Sequence, residues 1–133
     1  MNKAKERQTV LKQMKQIYYT GIDNRIDWMG YPITEINKPS YHHIVKREDL
    51  LSRGESISAT VENGAYLGKK SHEMLHLLEQ IDYDLYLCWN DLFKVISNMR
   101  IYPVVLIWDT IYKMKIESEN RINEYYNSKR LIK

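Results

Sequence analysis

Four histidines and one asparagine are the residues of this chain whose types and spacing suit metal chemistry. His42 and His43 are adjacent, Asn63 follows them by about twenty residues, and His72 and His76 come nine and thirteen residues after Asn63. A neutral imidazole binds divalent cations, and the same ring transfers protons near neutral pH. One short stretch of sequence therefore carries both metal ligands and a candidate general base.

The elements predicted around these histidines would bring the rings together. Residues 41–45 read as a strand, on which neighbouring side chains point to opposite sides, so His42 and His43 would face different ways. His72 and His76 are four apart in a predicted helix and would share one face. Three rings can then surround one cation while the fourth activates a water, as phosphodiester hydrolysis with a single metal requires.

This pattern of His-His, Asn and His-x-x-x-His resembles the HNH nuclease superfamily, the ββα-metal fold, and most closely its colicin-type DNases. The resemblance covers roughly residues 40–80. It implies an endonuclease that hydrolyses DNA, in which His42, His72 and His76 hold one divalent metal ion. His43 would be the general base, and Asn63 would brace the loop and orient His43. The metal would be Mg²⁺, Mn²⁺, Zn²⁺ or Ni²⁺, and the product would carry a 5′-phosphate.

The chain departs from many HNH proteins in its cysteines. Gly68 and Ser71 stand where such proteins carry one of the cysteine pairs that bind structural zinc, and Cys88 is the single cysteine. One cysteine also excludes an internal disulfide framework. Helices outside the motif must therefore support the site. Cys88 lies in an apolar helical stripe and is predicted to be a buried packing residue.

The expected fold is one domain over residues 1–133, mostly helical α+β, with a ββα core at about 40–80 and helices at about 3–19, 84–99 and 103–126. A second strand is predicted at 65–67, residues 46–60 are predicted to be an exposed loop, and Ser71 suits a helix N-cap. Helical spacing predicts two inward stripes in the last two helices. They consist of Leu85, Cys88, Trp89, Leu92, Val95, Ile96 and Met99, and of Val104, Ile107, Trp108, Ile111 and Met114.

Composition limits the partners. The chain has a net charge of only +3 and 44% hydrophobic residues, so DNA would be met by a local patch, read with little sequence preference, and not by a global field. The candidate patch is Lys46, Arg47, Arg53, Lys69 and Lys70, although such a cluster is often just a solvated face. No secretory signal or membrane span is visible, which favours a cytoplasmic protein without a membrane partner. A homodimer through the terminal helices and a continuous core explain their apolar faces equally well.

Three other interpretations stay open on sequence grounds. An HNH-like module could bind DNA or a protein without cutting. His72-Glu73-Met74-Leu75-His76 also matches the zinc metalloprotease signature, with Glu73 as base, but Gly68 to Ser71 before it look like a helix start, which is unlike that family. The histidines could be ordinary strand or core residues, and Asn63-Gly64 could be a turn. A phage or mobile-element role, in restriction, homing or packaging, is a family-level association that nothing in the chain selects.

Overall fold

The computed structural model describes residues 3–54 and 58–131. Within these ranges, five helices and two strands follow in the order α1 (Lys3–Tyr19), β1 (Pro39–His43), α2 (Arg47–Ser52), β2 (Gly64–Gly68), α3 (Lys69–Ile81), α4 (Tyr83–Met99) and α5 (Pro103–Leu131). The predicted class, mostly helical α+β, is confirmed. None of the described helices is both long and apolar enough to cross a membrane.

The two strands form an antiparallel pair that leads directly into α3. His42 lies opposite Ala65 and His43 opposite Gly64. Only glycine fits at position 64, because a Cβ there would come within 2.4 Å of the Tyr41 ring. β1 lies two residues earlier than the predicted 41–45 and ends at His43, whereas β2 contains the predicted 65–67 and extends it by one residue at each end. The strand pair therefore carries the two adjacent histidines at the end of β1.

The start of α3 corrects the prediction that Ser71 caps this helix. The helix begins at Lys69, and Ser71 is fully buried in its first turn. Asn37 supplies the cap instead, because its Oδ1 accepts from the backbone N–H of Lys70 at 2.9 Å. The carbonyl of Lys38 accepts from the N–H of Lys69. A residue distant in sequence thus fixes the position of the helix that carries His72 and His76.

A buried carboxylate ties the segment after α1 to the same junction. Asp27 is fully buried, and its side chain accepts from the backbone N–H groups of Met29, Tyr31 and Gly68. Burial raises the pKa of Asp27, and these hydrogen bonds oppose that rise. Next to it, Trp28 packs near Phe93, with ring centroids 6.1 Å apart. This segment supports the β2–α3 junction from beneath.

The inward faces of α4 and α5 differ in part from the predicted stripes. Cys88 is exposed and Val95 is 51% exposed, because the buried face of α4 is rotated toward Tyr86 and Phe93. In α5 the backbone leaves helical geometry at Ile107, and Trp108, which follows, is 37% exposed. The core positions Leu85, Trp89, Ile96 and Ile111 are buried as expected, Leu92, Met99, Ile107 and Met114 are partly buried, and the side chain of Val104 lies outside the described residues.

Two further element predictions were wrong. The segment 46–60 is not only loop, since it contains the short helix α2, whose Leu50 is buried; residues 55–57 lie outside the described part of the chain. The last helix continues to Leu131 and does not end near Tyr126. The predicted bounds of α1 agree with the structure.

Candidate metal centre

His42, His72 and His76 come together at the junction of β1 and α3. One ring nitrogen from each lies within 4.8 Å of the others, close enough to bind a single metal ion. The ring centroids are 4.6 Å apart for His72 and His76, and 5.4 Å and 6.1 Å from His42 to these two. The strand and the helical i, i+4 pair thus converge as the sequence predicted.

His42 is the buried member of the triad. Its side chain is 3% exposed, and its Nε2 lies 2.8 Å from Oδ1 of Asn90 on α4. Burial lowers the pKa of His42 to about 3, so the ring is neutral at physiological pH. The Asn90 side chain also hydrogen-bonds with Tyr86, which orients the amide. Because Oδ1 only accepts, the ring proton lies on Nε2 and the lone pair of Nδ1 is available for a cation.

His72 is held from the opposite strand. Its Nδ1 lies 2.7 Å from the Ser40 hydroxyl at the start of β1, which leaves Nε2 available. Burial, and then the neighbouring His76, lower the pKa of His72 to about 4. Two of the three rings are therefore neutral, the form that coordinates metals.

His76 stands at the solvent edge, with its side chain 56% exposed. Its Nδ1 lies 3.7 Å from Oε1 of Glu79 one turn later. Glu79 also pairs with Lys46, whose ammonium lies 5.6 Å from the centroid of the Tyr86 ring. Because Tyr86 contacts Asn90, these side chains connect the exposed end of the site with the buried one.

His43 points to a different side of β1 from His42. Its ring packs edge-on against Tyr41, with centroids 4.8 Å apart. It lines a groove of about 530 Å³ together with His72 and His76, and α1 provides Arg7 on another part of the lining. This groove, called the site groove below, places a candidate base beside two candidate ligands.

Asn63 fastens the backbone that follows His43. Its Oδ1 accepts from the N–H of Val45 at 2.8 Å, and its Nδ2 donates to the Val45 carbonyl at 3.2 Å. Its own carbonyl accepts from the N–H of Ile44. These contacts agree with a bracing role, and an effect of Asn63 on His43 during catalysis stays a prediction.

The predicted DNA contacts separate into two groups. Lys46 and Arg47 line the site groove, although Lys46 is already paired with Glu79. Arg53, Lys69 and Lys70 are exposed but are not among the residues that line it. Two of the five predicted DNA contacts therefore line the groove, and their contact with DNA stays a prediction.

Several residues of the site carried no motif. Asn90 is a polar residue on the buried face of α4, between Tyr86 and Phe93, and this break in an apolar stripe was a signal available in the sequence. Glu79 was within reach of helical spacing, since it lies one turn after His76 in α3. Ser40 and the α1 residues meet the histidines only through tertiary packing. Nothing in local spacing marks them.

Comparisons with known proteins do not identify a family or a function for this chain. No protein-family model matches the chain, and searches of curated proteins and of solved structures give no significant match.

Proposed function

We propose that this protein is an HNH-type, metal-dependent endonuclease that hydrolyses phosphodiester bonds in DNA. The observation that carries the proposal is the convergence of three imidazoles beside a groove that His43 also lines. In this assignment His42, His72 and His76 bind one divalent ion and His43 acts as the general base. The ββα order of β1, β2 and α3, with the His-His pair on β1, supports it.

The donor set fits a divalent metal. Three nitrogen ligands favour Zn²⁺ or Ni²⁺ by affinity, while Mg²⁺ and Mn²⁺ are candidates for turnover. Burial holds His42 and His72 neutral, so little proton competition opposes coordination at neutral pH. A bound ion would offset charge on the scissile phosphate and on the leaving oxygen.

His43 would take a proton from the attacking water. A general base must lie within hydrogen-bond reach of that water, and His43 lines the groove where a phosphate beside the triad would lie. Asn63 would limit movement of the chain just beyond His43 through its two bonds to Val45. Because side chains alternate along β1, the proposed metal ligand His42 and the proposed base His43 lie on opposite sides of the strand.

The metalloprotease alternative has less support. Glu73, which would have to be its base, is exposed and is not among the residues lining the site groove, whereas His72 and His76 are. A DNA-binding module without cleavage uses the same surfaces, and the cleavage experiment distinguishes it.

The experiment is nicking of supercoiled plasmid by wild type and by His43→Ala in Mg²⁺, Mn²⁺, Ni²⁺ and Zn²⁺. A general base contributes about 10²–10⁴-fold to rate, so we expect a loss of at least about 100-fold, with metal affinity unchanged by calorimetry. Gln13→Ala, an exposed substitution on α1 outside the site groove, is the control. Equal nicking by wild type and His43→Ala would contradict the assignment of His43 as the base. If wild type binds DNA but does not nick it in any of the four metals, the binding module is supported instead.

A further inference from the structure

The site groove does not end at the histidines. It shares Gln8, Leu11 and Pro39 with a second groove of about 280 Å³ that runs along α1. The second groove in turn shares Lys12, Lys15 and Arg25 with a third, of about 670 Å³, near the end of that helix. Three adjacent grooves therefore follow one another from His43 along α1.

The middle groove of the three is strongly basic. Lys12, Lys15, Arg25 and Lys38 line it, and no carboxylate does; these four residues define the α1 trough. Among the described residues, none of the three lysines forms an ion pair with an acidic side chain. Arg25 is positioned by a hydrogen bond to the Tyr66 hydroxyl. By contrast, Lys46 in the site groove is paired with Glu79.

We propose that the α1 trough binds the phosphates of a DNA duplex whose scissile strand passes His43. This inference rests on the proposed nuclease function and adds the path of the substrate. Unpaired, exposed lysines suit phosphate oxygens, and contacts of this kind position the duplex without reading its sequence. Because the trough adjoins the site groove along α1, both can contact one strand.

The dimensions of α1 suit this path. Arg7 lines the site groove and Lys15 lines the trough, and the eight residue steps from one to the other span about 12 Å along the helix axis. At 3.4 Å of axis per nucleotide in one strand, this length corresponds to about three to four nucleotides. A phosphate bound at Lys15 would thus lie about that far along the strand from one near Arg7.

The test removes charge from the trough and compares the result with an equal loss elsewhere. The variant carries Lys12→Gln, Lys15→Gln and Lys38→Gln. The matched control carries Lys94→Gln, Lys113→Gln and Lys129→Gln, three exposed lysines that line none of these grooves. All are built on His43→Ala so that the duplex stays intact, and binding of a 20-base-pair duplex is measured from low to high salt.

Each lost phosphate contact lowers the slope of log K against log salt by about 0.9. We therefore expect the slope of the trough variant to fall by about 2–3 and its affinity at low salt to drop at least tenfold, with a much smaller change in the control. If the slope of log K against log salt is equal for the two triple variants, the proposal that the trough binds phosphates is wrong. Tighter binding of a duplex RNA of the same sequence, with the same loss in the trough variant, overturns the commitment to DNA.

Nicking by the two triple variants with His43 intact separates the two proposals. If wild type nicks plasmid and the trough variant shows the slope of the control, the trough is wrong and the nuclease function stands. If wild type binds duplex through the trough but never nicks, the trough stands and the nuclease function fails. If wild type does not bind duplex at all, both fail.

Discussion

The two ends of the histidine triad differ in how the protein holds them. His42 is buried and is fixed by Asn90 and, through it, by Tyr86. His76 is more than half exposed, and its polar neighbour Glu79 is shared with Lys46. The buried end depends on packing between β1 and α4, whereas the exposed end depends on one helical turn. We expect mutations to act strongly at the first end and weakly at the second.

Acid should destabilise the metal-free protein mainly through the buried end. The pKa of His42 is about 3 in the folded protein against an ordinary 6.5, so this contribution to stability is complete above pH 6.5 and is lost as pH falls toward the folded value. His42 alone gives a slope of up to about 1.4 kcal/mol per pH unit, or about 3 kcal/mol by pH 4. Denaturant unfolding at several pH values measures it.

The control for that slope is His42→Leu, which removes the titrating ring and keeps an apolar side chain. Its unfolding free energy should fall less steeply between pH 6.5 and 4. An unchanged slope in this variant would show that His42 is not held neutral by burial.

Loss of a metal ligand should matter more at the buried end. We expect His42→Ala to weaken binding of Zn²⁺ or Ni²⁺ by more than about 100-fold, beyond the range for lost supporting groups. His76→Ala should cost less, because Glu79 lies beside it and a carboxylate can substitute as ligand. Calorimetric titration of both variants, with circular dichroism to check folding, gives the order; the reverse order would contradict the comparison.

Asn90 tests the support from α4. Asn90→Leu removes the acceptor that holds the His42 proton on Nε2, so metal affinity should fall by about 10–100-fold. Asn90→Asp keeps an acceptor and should retain most of the affinity. Ser97→Ala is the control, because Ser97 is also buried on α4 but bonds to the Glu62 carbonyl away from the site. Equal losses in the leucine and aspartate variants would mean that Asn90 acts only through packing.

Glu79→Gln should have the smallest effect. Its ion pair with Lys46 is only partly exposed, but surface pairs of this kind contribute about 0.2–1 kcal/mol, so metal affinity should change by no more than about fivefold. A larger change, measured in the same titration, would make Glu79 a ligand in its own right.

The same contrast explains what could be predicted from the sequence. The triad followed from local rules, since strand alternation and helical spacing already place His42, His72 and His76. The support for it did not, because Asn90 and Asn37 act across long sequence separations. Ser71 was wrongly predicted as the cap of α3, because the residue that caps this helix, Asn37, lies more than thirty residues earlier in the sequence. Cys88, Val95 and Trp108 were misplaced because a stripe does not fix the rotation of a helix.

The metal geometry is tested most directly by cadmium NMR on protein labelled with ¹⁵N-histidine. The chain has only 4 histidines, so each ring can be assigned from single substitutions. We predict one ¹¹³Cd signal coupled to three rings, through Nδ1 of His42 and Nε2 of His72, with His76 as the third ligand and His43 uncoupled. Coupling to His43, or cadmium bound without His42, would contradict the account.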